Sequence, residues 1–451
     1  MRTMDAVVRF IADTTWDSLP PEVREKARLC MADNLAALLA GSVTRSSAIA
    51  AEFAQKHLPG TEARILPRGA PVSTAGAAFA NATAANAIDI DDIGYGTWGH
   101  PGAQLLPTAL AVAESAGLGG AALLTSMVVG YEVAFREGLC VNRESPLFRA
   151  CGSWGAASCA AIVCHVLGTP PHQTGHALGI AEYCAPYLPM MRDIDDPAMA
   201  KHGVAWGAMT GIQAAGLAEL GFTAPPPSLG DESNRSYVED ITERYLLPHG
   251  ITWKEFSCCA WAHPAIMAVR SLQESHSFTA DDVRSVVVRA YDASLRLGTR
   301  LPSTTEEAQF NVAWPVAVFL TDGEVGPRQV LEARLSDPTV RDLASRVKLI
   351  ESDALTHLKR VQDFTETRGM DAAIVSIELT SGERLDSGVV QHVRYPEPPW
   401  DRQRVEAKVR WLLERHFDAA ALDALTSALW SFEEVDDVRA FLSTVCGSWR
   451  P

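Results

Sequence analysis

Basic charge is what this sequence has little of for its size. Its 451 residues carry 39 Lys and Arg against 55 Asp and Glu, a formal net charge of −16. A surface of that sign repels phosphate backbones and anionic headgroups, so nucleic-acid and membrane-surface roles are set aside, while a local basic pocket can still take a small anion. Paired cysteine motifs are missing as well. Nine cysteines, an odd number, are scattered with no CxxC among them, which argues against a disulfide framework or structural zinc and for reduced thiols. No GxGxxG follows a strand pattern, and neither GxxxxGKS/T nor GxSxG occurs. Dinucleotide, nucleotide and serine-hydrolase chemistry therefore lack their defining loops. The first ten residues contain Asp5 and no apolar run ahead of a small-residue cleavage site, so the expected location is the cytoplasm.

What is present is apolar and mostly helical in period. Hydrophobic residues make up 47% of the chain, ample for a buried core. Over the first 220 positions Ala- and Leu-rich segments repeat apolar residues three or four apart, as at 21–40, 77–90, 107–116, 121–136, 155–167 and 197–220, which predicts an all-helical half. The 32 residues between Arg149 and Glu182 lack any Asp, Glu, Lys or Arg. Pro170, Pro171 and three histidines interrupt them, so two buried helices are expected rather than a membrane span. From about residue 250 the texture changes to β-branched runs at 283–291 and 374–379, the second leading through Ser381-Gly382 into another extended stretch. Helices are expected there at 263–274, 306–321 and 338–347, the last capped by Asp337. After a proline-rich linker at 396–399, helices return at 401–417, 419–430 and 434–446. The expected fold is mainly α with a smaller α+β domain: a discontinuous helical domain (1–252 with 397–451) and an α+β lid (253–396).

Three segments carry candidate chemistry. Asp89-Ile90-Asp91-Asp92 ends an alanine-rich helix, and His100-Pro101 follows eight residues later. A proline in the first helical turn would leave His100 beside free backbone donors that disfavour imidazolium and keep a neutral base; the plainer reading is a helix cap and a turn histidine. Lys254 through Cys258-Cys259 to His263-Pro264 sits at the expected domain boundary, where small-ligand clefts concentrate. Cys259 would have a lowered pKa there if Lys254 or the helix end is close, against the plainer reading of core thiols. Lys201-His202 precede Gly203, Gly207 and Gly211, and with Arg192 and Arg149 could place cations around a polycarboxylate, although most such side chains face water. Trp314, in 310–315, could line the cleft or belong to the core. His172 and His176 have the spacing of a metal pair but lack the glutamate of HExxH, and read as structural.

Together these segments resemble the MmgE/PrpD family, which includes 2-methylcitrate dehydratase, cis-aconitate decarboxylase and iminodisuccinate epimerase. The resemblance spans nearly the whole chain and rests on 87–92 with His100-Pro101, on 129–133, 176–181 and Lys201 ahead of 207–211, and most specifically on Lys254 to Pro264. It implies a large helical domain, a smaller lid, a homodimer, no metal or organic cofactor, and a cleft for di- or tricarboxylates. Asp89, His100, Lys201, Lys254 and His263 fall on positions resembling family active-site residues, and Cys259 falls where the decarboxylases have a histidine. Phe148-Arg149-Ala150-Cys151 departs from the Phe-His-Pro-Thr of many members.

The expected activity is a lyase reaction next to a carboxylate, first of all dehydration of a 2-methylcitrate-like hydroxy acid. His100, oriented by Asp89, would move the proton. Lys201 and Lys254 would hold carboxylates and developing charge, and His263 would protonate a leaving hydroxyl. Arg149, Asp92, Arg192, His202, Cys259 and Trp314 are the substrate-binding candidates. Decarboxylation of the cis-aconitate type or epimerisation of a dicarboxylate is the second choice. A non-catalytic carboxylate binder and a helical scaffold remain as readings from other classes.

Overall fold

The computed structural model describes residues 3–94, 97–143, 148–363, 369–393 and 399–450. Its architecture is mainly α, with a smaller α+β part. The charge-free stretch forms two helices, Cys151–Leu167 and Pro171–Cys184. Among the described residues no helix is long and apolar enough to cross a membrane. All nine cysteines are free thiols, six of them buried.

Small residues let the helical body close tightly. The helix Val204–Glu219 lies across Cys151–Leu167, and a Cβ on Gly207 would come 2.9 Å from Cα of Gly152, one on Gly211 2.5 Å from Cβ of Cys159. Larger residues would push the helices apart and open voids in a close-packed interior. Two glycines therefore fix the position of the segment just before this helix, which carries Lys201 and His202. That segment is not the helical first turn expected from 197. His202 (φ 57°) and Gly203 (φ 65°) are both left-handed, which ends the short 3₁₀ turn Lys201–Gly203 and delays the helix to Val204.

Helices Arg402–Leu413, Ala419–Trp430 and Val438–Ser448 bury Val405, Val409, Leu425, Leu429 and Leu442 in the same apolar cluster as the helix Pro21–Gly41. The linker expected at 396–399 lies, apart from Pro399, outside the described residues. A second cluster underlies a five-stranded sheet. There Val283–Ala290 pairs in parallel with Val347–Glu351 and antiparallel with Gly369–Leu379, which also carries Arg384–Asp386 and Val390–Val393. Val286, Val288 and Ala290 alternate inward, the period of a half-buried strand, and His263–Ser275 packs on the sheet. The helix expected over 306–321 is two, Thr305–Gln309 and Ala313–Asp322, with Phe310 at the break.

One short pairing positions the site. Ile93–Gly94 hydrogen-bonds antiparallel to Ile251–Thr252, which places the chain leaving the aspartate loop beside the chain leading into Lys254.

Candidate active site

The aspartate loop follows the helix Thr74–Asn86 and is anchored carbonyl by carbonyl. Gln309 Nε2 donates to the carbonyl of Ala87 at 2.9 Å, Lys254 Nζ to that of Asp89 at 3.0 Å, and Lys408 Nζ to that of Ile90 at 2.7 Å. Buried carbonyls without partners would be costly. Three distant parts of the chain, one of them the C-terminal helix Arg402–Leu413, thus supply what the loop cannot satisfy internally. Asp89 adopts φ 54°. The positive-φ non-glycine residues described are Asp89, Trp98 and His202, and all three line one cavity of about 290 Å³. Strained backbone of this kind persists only where its surroundings over-determine it, and it concentrates at functional sites.

Charges gather on Asp89. Its Oδ2 is 2.9 Å from Lys254 Nζ, and its Oδ1 is 3.9 Å from Lys201 Nζ and 3.6 Å from His100 Nε2. Burial alone would raise the Asp89 pKa, but Lys254, Lys201 and His100 outweigh it and hold the carboxyl far below the ordinary range. Burial likewise pulls Lys254 down, and Asp89 followed by Asp91 more than reverses this, leaving a firm cation. For Lys201 burial wins over Asp89 and its pKa is lowered. Lys201 also donates to Gln309 Oε1, the side chain that grips the loop.

The histidine is oriented by a different carboxylate from the one expected. His100 Nδ1 lies 2.9 Å from Asp91 Oδ2, and Asn86 Nδ2 donates to Asp91 Oδ1 at 2.9 Å. Asp91 is the orienting group, and it leaves Nε2 turned toward Asp89. His100 stands immediately before Pro101, the residue ahead of the helix Gly102–Ala116, and Asp92 accepts the first N–H of that helix. Asp91 stands in the motif that drew notice, but spacing alone does not say which of its three carboxylates meets the ring.

Asp92 is a structural residue here. Its Oδ1 accepts from the Gly102 N–H at 2.9 Å, and its Oδ2 accepts from Tyr131 at 2.5 Å and Asn34 at 3.1 Å. It is fully buried and does not line the cavity. His202 does line it, its ring 4.6 Å from that of His100, and Asp193 Oδ2 accepts its backbone N–H at 2.7 Å. Burial lowers the His202 pKa, which favours the neutral ring.

Other expected residues lie elsewhere. His263 is buried behind Cys258, whose carbonyl lies 3.3 Å from its Nε2, and burial with His392 nearby drives its pKa well down. It is not a cavity residue. Arg192 is exposed on Met191–Asp195, a short helix whose inner face puts Met191 and Ile194 in the cavity instead. Arg149 lies over the Tyr187 ring at 4.6 Å while its neighbour Phe148 reaches the cavity. Trp314 donates to the Gln329 carbonyl at 2.9 Å inside the sheet-side core. Cys259 lines the cavity, but burial pushes its thiol up to about 12 despite Lys254, the reverse of the expected lowering. Lys359 is a cation that sequence reasoning passed over: it lines the cavity 3.1 Å from Asp371, and no motif marks its position in 353–363.

Asp89, His100 and His202 also offer one ligand atom each within 4.8 Å of one another. The donor set does not suit a divalent cation, because Asp89 is engaged by two ammonium groups that a metal ion would repel. Its chemistry is that of a proton-transfer group with countercharge for an acid.

Comparison with known proteins agrees in kind with this geometry. Residues 5–237 match the MmgE/PrpD N-terminal domain and residues 256–431 the MmgE/PrpD C-terminal domain. The chain belongs to the MmgE/PrpD family. Two relatives match nearly end to end: the cis-aconitate decarboxylase-like protein oryM of Aspergillus oryzae (strain ATCC 42149 / RIB 40), 23% identical over 477 residues with 97% of this chain and 96% of that protein covered, and human cis-aconitate decarboxylase, 24% identical over 467 residues with 96% and 92% covered. Within this MmgE/PrpD chain, the cavity takes Asp89, His100 and His202 from the first matched region, Cys259 and Phe310 from the second, and Lys254 from the short stretch between them.

Proposed function

We propose that this MmgE/PrpD protein is a lyase that breaks a bond next to a carboxylate, with His100 moving the proton and Lys254 and Lys201 holding the acid. The carrying observation is the Asp91–His100 contact at 2.9 Å, with Nε2 aimed at an Asp89 carboxylate that both lysines share. Decarboxylation is the reading the residues favour. The carbon–carbon bond to one carboxylate breaks, carbon dioxide leaves, and the electron pair remains as an enediolate-like anion beside the ammonium groups. His100, carrying at Nε2 a proton taken up from solvent, then donates it to that carbon. Preorganised cations in a water-poor site stabilise such developing charge, and positioned proton transfer contributes roughly 10² to 10⁴ in rate.

Dehydration of a 2-methylcitrate-like hydroxy acid is the second reading. It needs an acid at the leaving hydroxyl, and His263 is too deeply placed to supply it. Lys201, with its pKa lowered by burial and its Nζ 3.9 Å from Asp89, is the group assigned to that step.

The test is incubation with di- and tricarboxylates in heavy water, followed by mass spectrometry for loss of carbon dioxide, loss of water, or deuterium exchange. His100→Ala is expected to lower turnover at least about 10²-fold and leave binding of the acid nearly intact. Turnover undiminished in that variant would rule out the assigned role.

A further inference from the structure

The walls of the cavity say more about the acid than its charged end does. Trp98 and Phe148, whose ring centroids are 5.2 Å apart, line one side; Trp261 and Phe310 line another, and Met191 and Ile194 complete an apolar wall. The two ammonium groups that line the cavity already have carboxylates of the protein as counterions: Lys254 has Asp89 at 2.9 Å and Lys359 has Asp371 at 3.1 Å, while Lys201 shares Asp89 at 3.9 Å from outside the lining. Asp292 adds another carboxylate to the lining. Each carboxylate that a substrate brings in must therefore share cations that are already engaged. Even at the aromatic wall the ammonium group at hand, Lys359 at 5.0 Å from the Trp98 ring, is paired with Asp371, so a further carboxylate there would be desolvated for a shared counterion. Apolar bulk set there is favoured instead.

We infer that the acid this site accepts carries one or two carboxylates and a bulky apolar substituent of aromatic size, and that a tricarboxylate is the poorer fit. The carboxylate beside the reacting carbon sits at Lys254, and the substituent lies against Trp98 and Phe310. This rests on the lyase reading above for the chemistry, but not for the binding preference.

Benzylidenesuccinate and cis-aconitate are the probes. Both have a methylene next to a carboxylate and an adjacent double bond, so proton removal gives a delocalised anion in either. Affinity is measured by calorimetry, and turnover by deuterium uptake and carbon dioxide release in heavy water. Benzylidenesuccinate is expected to bind and exchange at least about tenfold better, a preference within the range that apolar pocket contacts provide. Met191→Arg puts a cation into the apolar wall and is expected to reverse that order. Ile194→Arg is the second variant, should thermal unfolding show the first to be misfolded. Tighter binding and faster exchange of cis-aconitate, in an order that neither folded variant changes, would overturn the inference and leave the lyase reading standing. Preferential binding of benzylidenesuccinate with no exchange or carbon dioxide loss from either acid would uphold the inference and overturn the lyase reading.

Discussion

At the scale of single residues the site turns on which carboxylate meets the imidazole. Asp91 and Asp89 are two positions apart and both buried, yet they do different work. Asp91 holds Nδ1 at 2.9 Å and is itself steadied by Asn86, whereas Asp89 is saturated with ammonium groups. The lowered pKa of Asp91 reflects His100 and Lys254 outweighing burial, so it is an anion at neutral pH. Asp91→Asn preserves shape but removes the charged acceptor that fixes the ring and its tautomer. As Asp91 acts through His100, kcat is expected to fall by about 10²-fold while KM changes little. In the His100→Ala background the same replacement is expected to cost almost nothing more, since the two side chains form one unit. A fall in kcat that simply multiplied with that of His100→Ala would show that Asp91 acts elsewhere.

At the scale of the element, the helix Gly102–Ala116 shows a cap that is also a titrating group. Asp92 accepts the first free N–H of this helix and sits in full burial, which raises its pKa from 3.8 to about 6 with Tyr131, Gly102 and Asn34 opposing. Between those values the folded protein holds the proton more tightly than the unfolded chain. Its stabilising contribution is therefore complete below about pH 4 and is lost as pH rises through 6, amounting to about 3 kcal/mol. Asp92→Asn cannot titrate, and its unfolding free energy, followed by urea titration from pH 4 to 7, is expected to lack that decline. Equal slopes in the two proteins would contradict the assignment.

The same element marks the limits of sequence reading. The helices Pro21–Gly41 and Ala419–Trp430 were located because apolar, helix-favouring residues run on over several turns between helix-start and helix-stop signals; the first is buried on every face from Leu29 to Gly41. The same signals misplaced the start of Val204–Glu219 because the break depends on His202 holding a left-handed backbone, which only the surrounding fold enforces. The two-residue strand Ile93–Gly94 is too short for any period, though it brings the aspartate loop to Lys254. Lys254, Lys201 and His100, which stand in motifs, do meet around Asp89. Arg149, Arg192 and His263 lie outside the cavity lining, because charge and spacing do not say which way a side chain turns.

At the scale of the whole molecule, the charged cluster joins the aspartate loop, which is embedded in the helical body, to the segment leading into the sheet-bearing part. Lys254 reaches both the carbonyl and the carboxylate of Asp89. Beyond it, Glu255 accepts from Arg270 of the sheet-side helix and from Arg404 of a C-terminal body helix. A buried ion pair contributes little net stability beyond an apolar replacement, but removing one partner strands the other. Lys254→Met leaves Asp89 with Lys201 at 3.9 Å as its near ammonium group, and stability is expected to drop by about 3 to 5 kcal/mol. Adding Asp89→Asn removes the stranded charge, so the double variant is expected to recover most of that loss while remaining inactive. Denaturant unfolding of the four proteins in one cycle measures the coupling directly. Losses that merely add would mean that the Lys254–Asp89 pair does not help to hold the two parts together, and the lysine would then serve the ligand rather than the fold.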